Sequence, residues 1–261
     1  MNNLKLHKAT PISASMTFVW RSVQKIKSNP SQLIFDAVVA VVSMLLFTYL
    51  FGGAIEGSPR EYLQFLLPGM LFMTVLPMTV FAGSTLCNDI AKGIYDRFRT
   101  LGFWQPAAVL GTLFSDIIRY SVAVLAVAGT GLAIGFRPGG GFVGFLLGLL
   151  LVILFAFSIS WVFAIWGVIA KKAESVSQNS MILIYTSIFG SNIFIETGTL
   201  PNWLQVAVNL NPTTHIAKAT RGLMHGTATP AEISIALIVC AVIIVVFAPL
   251  TFALYSNKNK K

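Results

Sequence analysis

The chain has 261 residues, 56% of them hydrophobic and only 10% charged, with a mean hydropathy of +0.78. No water-soluble fold of this size hides that much apolar surface, whereas a bilayer accepts it, so the composition excludes a soluble globular domain. The net charge of +9 comes from basic residues gathered in connections between apolar segments, which argues against nucleic acid as a partner.

Residues 1–32 read as a cytosolic arm. They lack the build of a cleaved signal, because the first apolar run begins only near Leu33 and no small-residue cleavage site follows it. Met16, Val19, Val23 and Ile26 keep helical spacing, with Trp20 beside them and Arg21, Lys25 and Ser28 on the other face. Ser13 suits an N-cap and Asn29-Pro30 a stop. This predicts an N-terminal amphipathic helix lying in the cytosolic headgroup plane, with docking on a partner protein as the competing reading.

Residues 33–254 read as an all-α polytopic membrane domain of six transmembrane helices, since a hydrocarbon core about 30 Å thick needs about 20 helical residues. The first span, 33–51, is ended by Gly52-Gly53, and the second, 65–84, carries Pro68 and Pro77 as kinks. After it comes GIYDRFRTLGFWQP, residues 93–106. As a helix this stretch would put Ile90, Ile94, Phe98 and Leu101 on one face, capped by Asn88 or Asp89 and ended by Gly102, with Asp96 and Arg99 paired. A loop that only sets topology needs its positive charges but no apolar face. The stretch has both, which suits a short helix seated in a groove of a soluble partner.

The third span, 120–136, is extended toward the cytosol by 107–119, and the fourth, 142–170, is long enough to tilt. The small-residue pairs Gly131-x-x-x-Gly135 and Gly144-x-x-x-Gly148 allow close backbone approach between helices, within one chain or between two. The fifth span, 181–195, is short and contains Gly190-Ser191-Asn192. Between it and the sixth span, 233–254, lie two short helical patterns, Trp203–Leu210 and Thr214–Met224, separated by Asn211-Pro212. Their apolar content predicts a re-entrant helical hairpin dipping into the outer leaflet rather than an ordinary extracellular loop. Residues 255–261 form a tail. Cys87 and Cys240 stand in separate apolar runs without disulfide or metal-ligand spacing, so no metal site is expected.

Most Lys and Arg fall on one side of this arrangement: Lys5, Lys8, Arg21, Lys25 and Lys27, then Lys92, Arg97 and Arg99, then Lys171 and Lys172, and Lys258, Lys260 and Lys261 in the tail. Arg60, Arg137, Lys218 and Arg221 lie opposite, so both termini are expected in the cytosol. The centres of the spans carry no acid, histidine or arginine of the kind that ion-coupled carriers use. Asp36, Asp116 and Arg119 fall near cytosolic ends, and Asp116 with Arg119 has the spacing of an i, i+3 pair. His7, His215 and His225 stand alone and read as solvated. There is no phosphate-binding G-x-x-x-x-G-K-[ST] loop, no HExxH and no GxSxG. By elimination the chain reads as a pore-forming part driven by energy from elsewhere.

The run from Gly93 to Tyr120 resembles the loop after the second span in ABC transporter permeases of the type-2 exporter family, and most of all the daunorubicin-type drug-export branch. Asp96, Arg97, Phe98, Arg99 and Leu101 match that branch's G-I-x-D-R-F-R-[ST]-L run, and Asp116 and Arg119 match its later acidic-x-x-Arg pair. Pro201, Trp203, Leu204, Asn211, Pro212, Arg221, Gly222, Leu223 and Gly226 match the family's outer hairpin, whereas GFWQP departs from the small polar residues usual there. The resemblance implies a permease of the cytoplasmic (inner) membrane of a prokaryote, working as a homodimer or as a heterodimer with a sister permease. It implies no cofactor in this chain, with ATP and Mg held by separate ABC ATPase subunits. Those subunits would be coupled through Asp89, Ile94, Asp96, Arg97, Phe98, Arg99 and Leu101. It further implies a substrate path between the second and fifth spans, for which Met73, Pro77, Phe81, Tyr185, Phe189 and Asn192 are the candidates, with lipid contact or core packing as the plainer role for any one of them. The outer hairpin would rest on Trp203, Asn211, Pro212 and Arg221. An amphipathic drug, antibiotic, peptide or lipid-like cargo is expected. A polysaccharide- or lipid-export permease and a non-transporting ATPase anchor are the alternatives.

Overall fold

The computed structural model describes residues 30–55, 57–93, 106–194 and 197–258, together with Thr17, Trp20 and Gln24. Those three residues are helical and belong to the expected interfacial helix, the rest of which lies outside the described residues. The described residues contain no strand. Their helices are α1 Pro30–Ile55, α2 Pro59–Met78, α3 Val80–Ala91, α4 Pro106–Ile134, α5 Gly141–Ile169, α6 Ala173–Phe189, α7 Asn202–Leu210, α8 Pro212–His225 and α9 Pro230–Lys258, with one 3-10 turn at Thr197–Thr199.

Among the described residues, five helical segments are long and apolar enough to cross a membrane: Pro30–Ala54, Pro59–Ala91, Val109–Ile134, Gly141–Ile169 and Pro230–Ser256. The expected fifth span, 181–195, differs. Its helix, α6, runs from Ala173 to Phe189, 17 residues, and so begins earlier and ends sooner than its apolar run. Glu174, Gln178 and Asn179 extend it on the polar side, because a helix continues for as long as its backbone bonds close, whatever the hydropathy. At the other end Gly190 caps it, and residues 191–193 form a turn.

The second expected span is the most enclosed and also the longest, 33 residues from Pro59 to Ala91. Pro59 stands in its first turn, and the Ser58 hydroxyl caps it by accepting the Glu61 N–H at 3.2 Å. Pro77 has no N–H to offer the carbonyl one turn back, and two residues later the helix breaks at Thr79. There the Thr79 N–H and hydroxyl both turn to the Leu76 carbonyl, at 3.1 and 2.6 Å. Pro68 likewise frees the Gln64 carbonyl, and the structure fills the gap with His225, whose Nε2 lies 3.0 Å from it. His225 is therefore half-buried, tilted against the Phe136 ring, and not the solvated histidine expected from sequence. The Gln64 side chain adds two bonds to the α4–α5 turn, donating to the Gly135 carbonyl and accepting from the Arg137 N–H, both at 3.1 Å.

Helix α5 is the centre of the bundle, packed against α3, α4, α8 and α9. Where it crosses α3, Gly167 and Gly83 meet backbone to backbone, and a side chain on either would collide with the other helix. Further along α5, Gly144 faces the Leu223 carbonyl and Gly148 faces the Met224 side chain, so this pair packs on α8 of the same chain. Helix α1 packs on α2 and α4, and α9 on α5 and α8, and both show much of their apolar surface outward.

Candidate functional site

A stripe of residues on α2 and α3, Met70, Met73, Pro77, Met78 and Phe81, recurs at helical spacing and forms one wall of a cavity of about 320 Å³. The other walls are the start of α1, with Asp36, Val39 and Ser43, and the middle of α6, with Met181 and Tyr185. Four of the expected path residues, Met73, Pro77, Phe81 and Tyr185, thus share one space. The other two stand elsewhere. Phe189 points outward, 63% exposed, between Tyr185 and Phe194 in an aromatic row with ring centroids 6.2 and 5.6 Å apart. The row continues from Phe194 to Phe47 and Phe51 of α1, each step 5.5 Å. Asn192 is buried at the far end of the bundle.

The sequence reading missed Asp36 as a cavity residue. Its signal is visible in retrospect: it is the one charged residue of α1 and shares a face with Val39, Ala40 and Ser43 at spacings of three, four and seven. One of its carboxylate oxygens, Oδ2, is buried and has no hydrogen-bond partner. The expected Asp116–Arg119 pair does not close. The Arg119 guanidinium lies 5.1 Å from the centre of the Phe81 ring, on α3, instead of turning back along α4. That leaves the Oδ2 of Asp116 buried and without a partner as well, and Arg119 as the cation whose field reaches both acids.

At the far end lie the two consecutive helices α7 and α8, with boundaries close to those read from sequence and Asn211 between them. Asn211 organises this end. Its Oδ1 accepts the Thr213 N–H at 3.0 Å and caps α8, while its Nδ2 donates to the Ser187 and Gly190 carbonyls at 2.8 and 2.9 Å, closing the end of α6. Pro212 is the first residue of α8, where its missing N–H does no harm. Arg221 reaches from α8 to the turn after α6, donating to the Asn192 and Ile193 carbonyls at 3.2 and 3.4 Å, with its guanidinium 4.0 Å over Phe65 of α2. Thr229 and Glu232 cap α9 reciprocally, at 3.0 and 3.3 Å, and Lys218 pairs with Glu232 at 3.1 Å. Between these groups lies a polar chamber of about 570 Å³. Trp203, by contrast, contributes nothing to the chamber: with Val206 and Leu210 it forms an exposed apolar stripe along α7.

At the opposite end, Asn88 and Asp89 do not begin a new helix as expected. They belong to the last turn of α3, which closes with the Lys92 and Gly93 N–H groups bonded to the Asn88 and Ile90 carbonyls. Gly93, at φ +61, makes the stop, a conformation that side chains other than glycine's resist. The remaining expected coupling residues, Ile94, Asp96, Arg97, Phe98, Arg99 and Leu101, lie outside the described residues.

Residues 14–225 match the protein family described as ABC-2 type transporter. The chain is also 48% identical, over 252 residues, to a daunorubicin resistance ABC transporter permease protein of Streptomyces coeruleorubidus, a similarity covering 97% of this chain and 89% of that protein.

Proposed function

The chain belongs to the ABC-2 type transporter family, and from that premise we propose that it is the membrane subunit of an ATP-driven exporter moving an amphipathic cargo outward. It is a multi-pass membrane protein and a permease subunit, and association with ABC ATPase subunits follows from its family. In our reading the membrane is the cytoplasmic membrane of a prokaryote. ATP and Mg sit on the partner ATPase, and two permease chains, identical or sister, form the path. The single observation that carries the reading is the methionine- and aromatic-lined cavity between α1, α2–α3 and α6 in a chain of this family. Such soft side chains adapt to varied apolar bodies, which favours an amphipathic small molecule over a polysaccharide.

The remaining architecture is part of the proposal. Helix α6 is the fifth of six crossings, both termini are cytosolic and the arm carries an interfacial helix. The domain layout is an arm at 1–32, a membrane domain at 33–254 and a tail at 255–261. The α7–α8 hairpin enters the outer leaflet and seals the path, held by Asn211 and Arg221. The stretch after Gly93 docks on the ATPase through Phe98, with Ile94 and Leu101 on the same face and Asp96, Arg97 and Arg99 around it. Asp89 sits at the root of that contact.

The test is reconstitution with the ATPase in inside-out vesicles carrying a fluorescent amphipathic drug. ATP-dependent drug uptake is expected, and Phe98→Ala is expected to keep the permease inserted while releasing the ATPase in a pull-down, since an aromatic anchor is worth about 2 kcal/mol or more. ATPase docking without uptake of any amphipathic cargo would reduce the chain to a membrane anchor.

A further inference from the structure

We propose that Asp36 and Arg119 make the cavity between α1, α2–α3 and α6 selective for cargo bearing a positive charge, with Arg119 as the resident cation that the cargo's cationic group replaces. The inference rests on reading that cavity as part of the export path.

Asp36 is the one charged residue in the 26 of α1 and the one charged side chain lining the cavity. A carboxylate held among apolar helices is costly, and where the fold gives it no bonding task a ligand task remains. Here the fold leaves one oxygen of Asp36 buried and unbonded. Arg119 stabilises that charge through space without forming an ion pair, because its guanidinium is spent on the Phe81 ring at 5.1 Å. Phe81 itself lines the cavity. The structure therefore already has a cation on an aromatic face near the orphaned carboxylate, and the ring and the carboxylate both line a space for an apolar body.

An ammonium or similar head entering the cavity would meet Asp36 directly and compete with Arg119 for Phe81, while its hydrophobic body lies among Met70, Met73 and Tyr185. Arg119 then has a seat ready. Asp116 stands three residues earlier on the same helix, 5% exposed, with its own Oδ2 unpartnered. After the exchange each acid has its own cation: the cargo takes Asp36 and Arg119 takes Asp116. An anionic head would face the Asp36 carboxylate with no cation in the lining to receive it.

The probes are a styrylpyridinium dye and its uncharged styrylpyridine parent, which share a skeleton and differ by one positive charge. Their binding is measured by fluorescence to the full-length permease in lipid nanodiscs, with empty nanodiscs as background. The wild type should prefer the cation. Asp36→Asn should weaken cation binding by about tenfold and leave the neutral parent within about twofold, while Arg119→Gln should tighten the cation. Unchanged binding of the neutral parent also shows that the variants are folded, and Asp36→Glu should restore part of the preference. Equal loss of both probes in Asp36→Asn, no loss of either, or weakening of the cation by Arg119→Gln would overturn the proposal. Binding is read without ATP or ATPase, so a cation preference in a chain that exports nothing would sink the export reading and leave this one standing.

Discussion

Single side chains hold the hairpin end of this bundle, and each answers a backbone vacancy elsewhere. Asn211 serves two helices with three hydrogen bonds. Asn211→Ala should therefore destabilise the protein by about 2 kcal/mol, read as a lower thermal unfolding midpoint in detergent. Asn211→Asp, which keeps the acceptor and loses the donors, should fall between. His225 answers Pro68. If its bond to the Gln64 carbonyl exists because Pro68 has no N–H, then Pro68→Ala supplies a substitute donor. His225→Ala should cost about 1 kcal/mol alone and clearly less in the Pro68→Ala background, and additive losses in that double-mutant cycle would refute the link. The sequence offered Pro68 as a kink and Asn211-Pro212 as a break. It did not offer the partners, because a freed carbonyl is filled by whatever the tertiary fold brings near it. The same holds for Arg119, whose local spacing favoured Asp116 while a ring on another helix took it.

Among whole elements, apolar runs read well because burial and lipid contact both select for them, and the long helices appear close to where hydropathy set them. Helix ends were less legible, since they obey backbone bonding and not polarity. That is why α6 starts at Ala173 and why α3 runs through Asn88 and Asp89 before Gly93 stops it. The cavity was half legible. Its α2–α3 stripe shows in the spacing of Met73, Pro77 and Phe81, whereas the Asp36 wall depends on how α1 leans on α2. The crossing of α3 with α5 has no tolerance for side chains, so Gly167→Val should force the two helices apart at a cost of about 1–3 kcal/mol or more. The expected result is lower yield of folded permease on size-exclusion chromatography, with Gly53→Val, in open space, as the harmless comparison.

For the molecule as a whole the number of crossings fixes sidedness, and the chain is well suited to measuring it. Both native thiols, Cys87 and Cys240, are buried, so a membrane-impermeant maleimide should find little to label in the wild type. Lys171→Cys and Gly198→Cys flank α6, and Gly198 has no neighbour near the place of a new side chain. If α6 crosses, intact cells should label position 198 and not 171, and inside-out vesicles the reverse. Labelling of both from one side would leave five crossings and put the termini on opposite faces.

The break at Thr79 has a mechanical consequence. Helix α3 extends 12 residues beyond it, about 18 Å of stiff rod ending where the stretch after Gly93 begins. With Thr79 as fulcrum, a tilt of about 10° would displace the tip by about 3 Å, while Phe81, two residues from the pivot, would hardly shift. A lever of this proportion works more readily from its long arm: a modest push at the far end becomes a small, forceful adjustment beside the cavity wall. Pro77→Ala, which returns a donor to the carbonyl one turn back, should stiffen that pivot. The expected outcome is a thermal midpoint raised by about 1 kcal/mol of stability and ATP-driven transport slowed. Transport at the full rate with the pivot repaired would mean that the rod does not transmit the stroke.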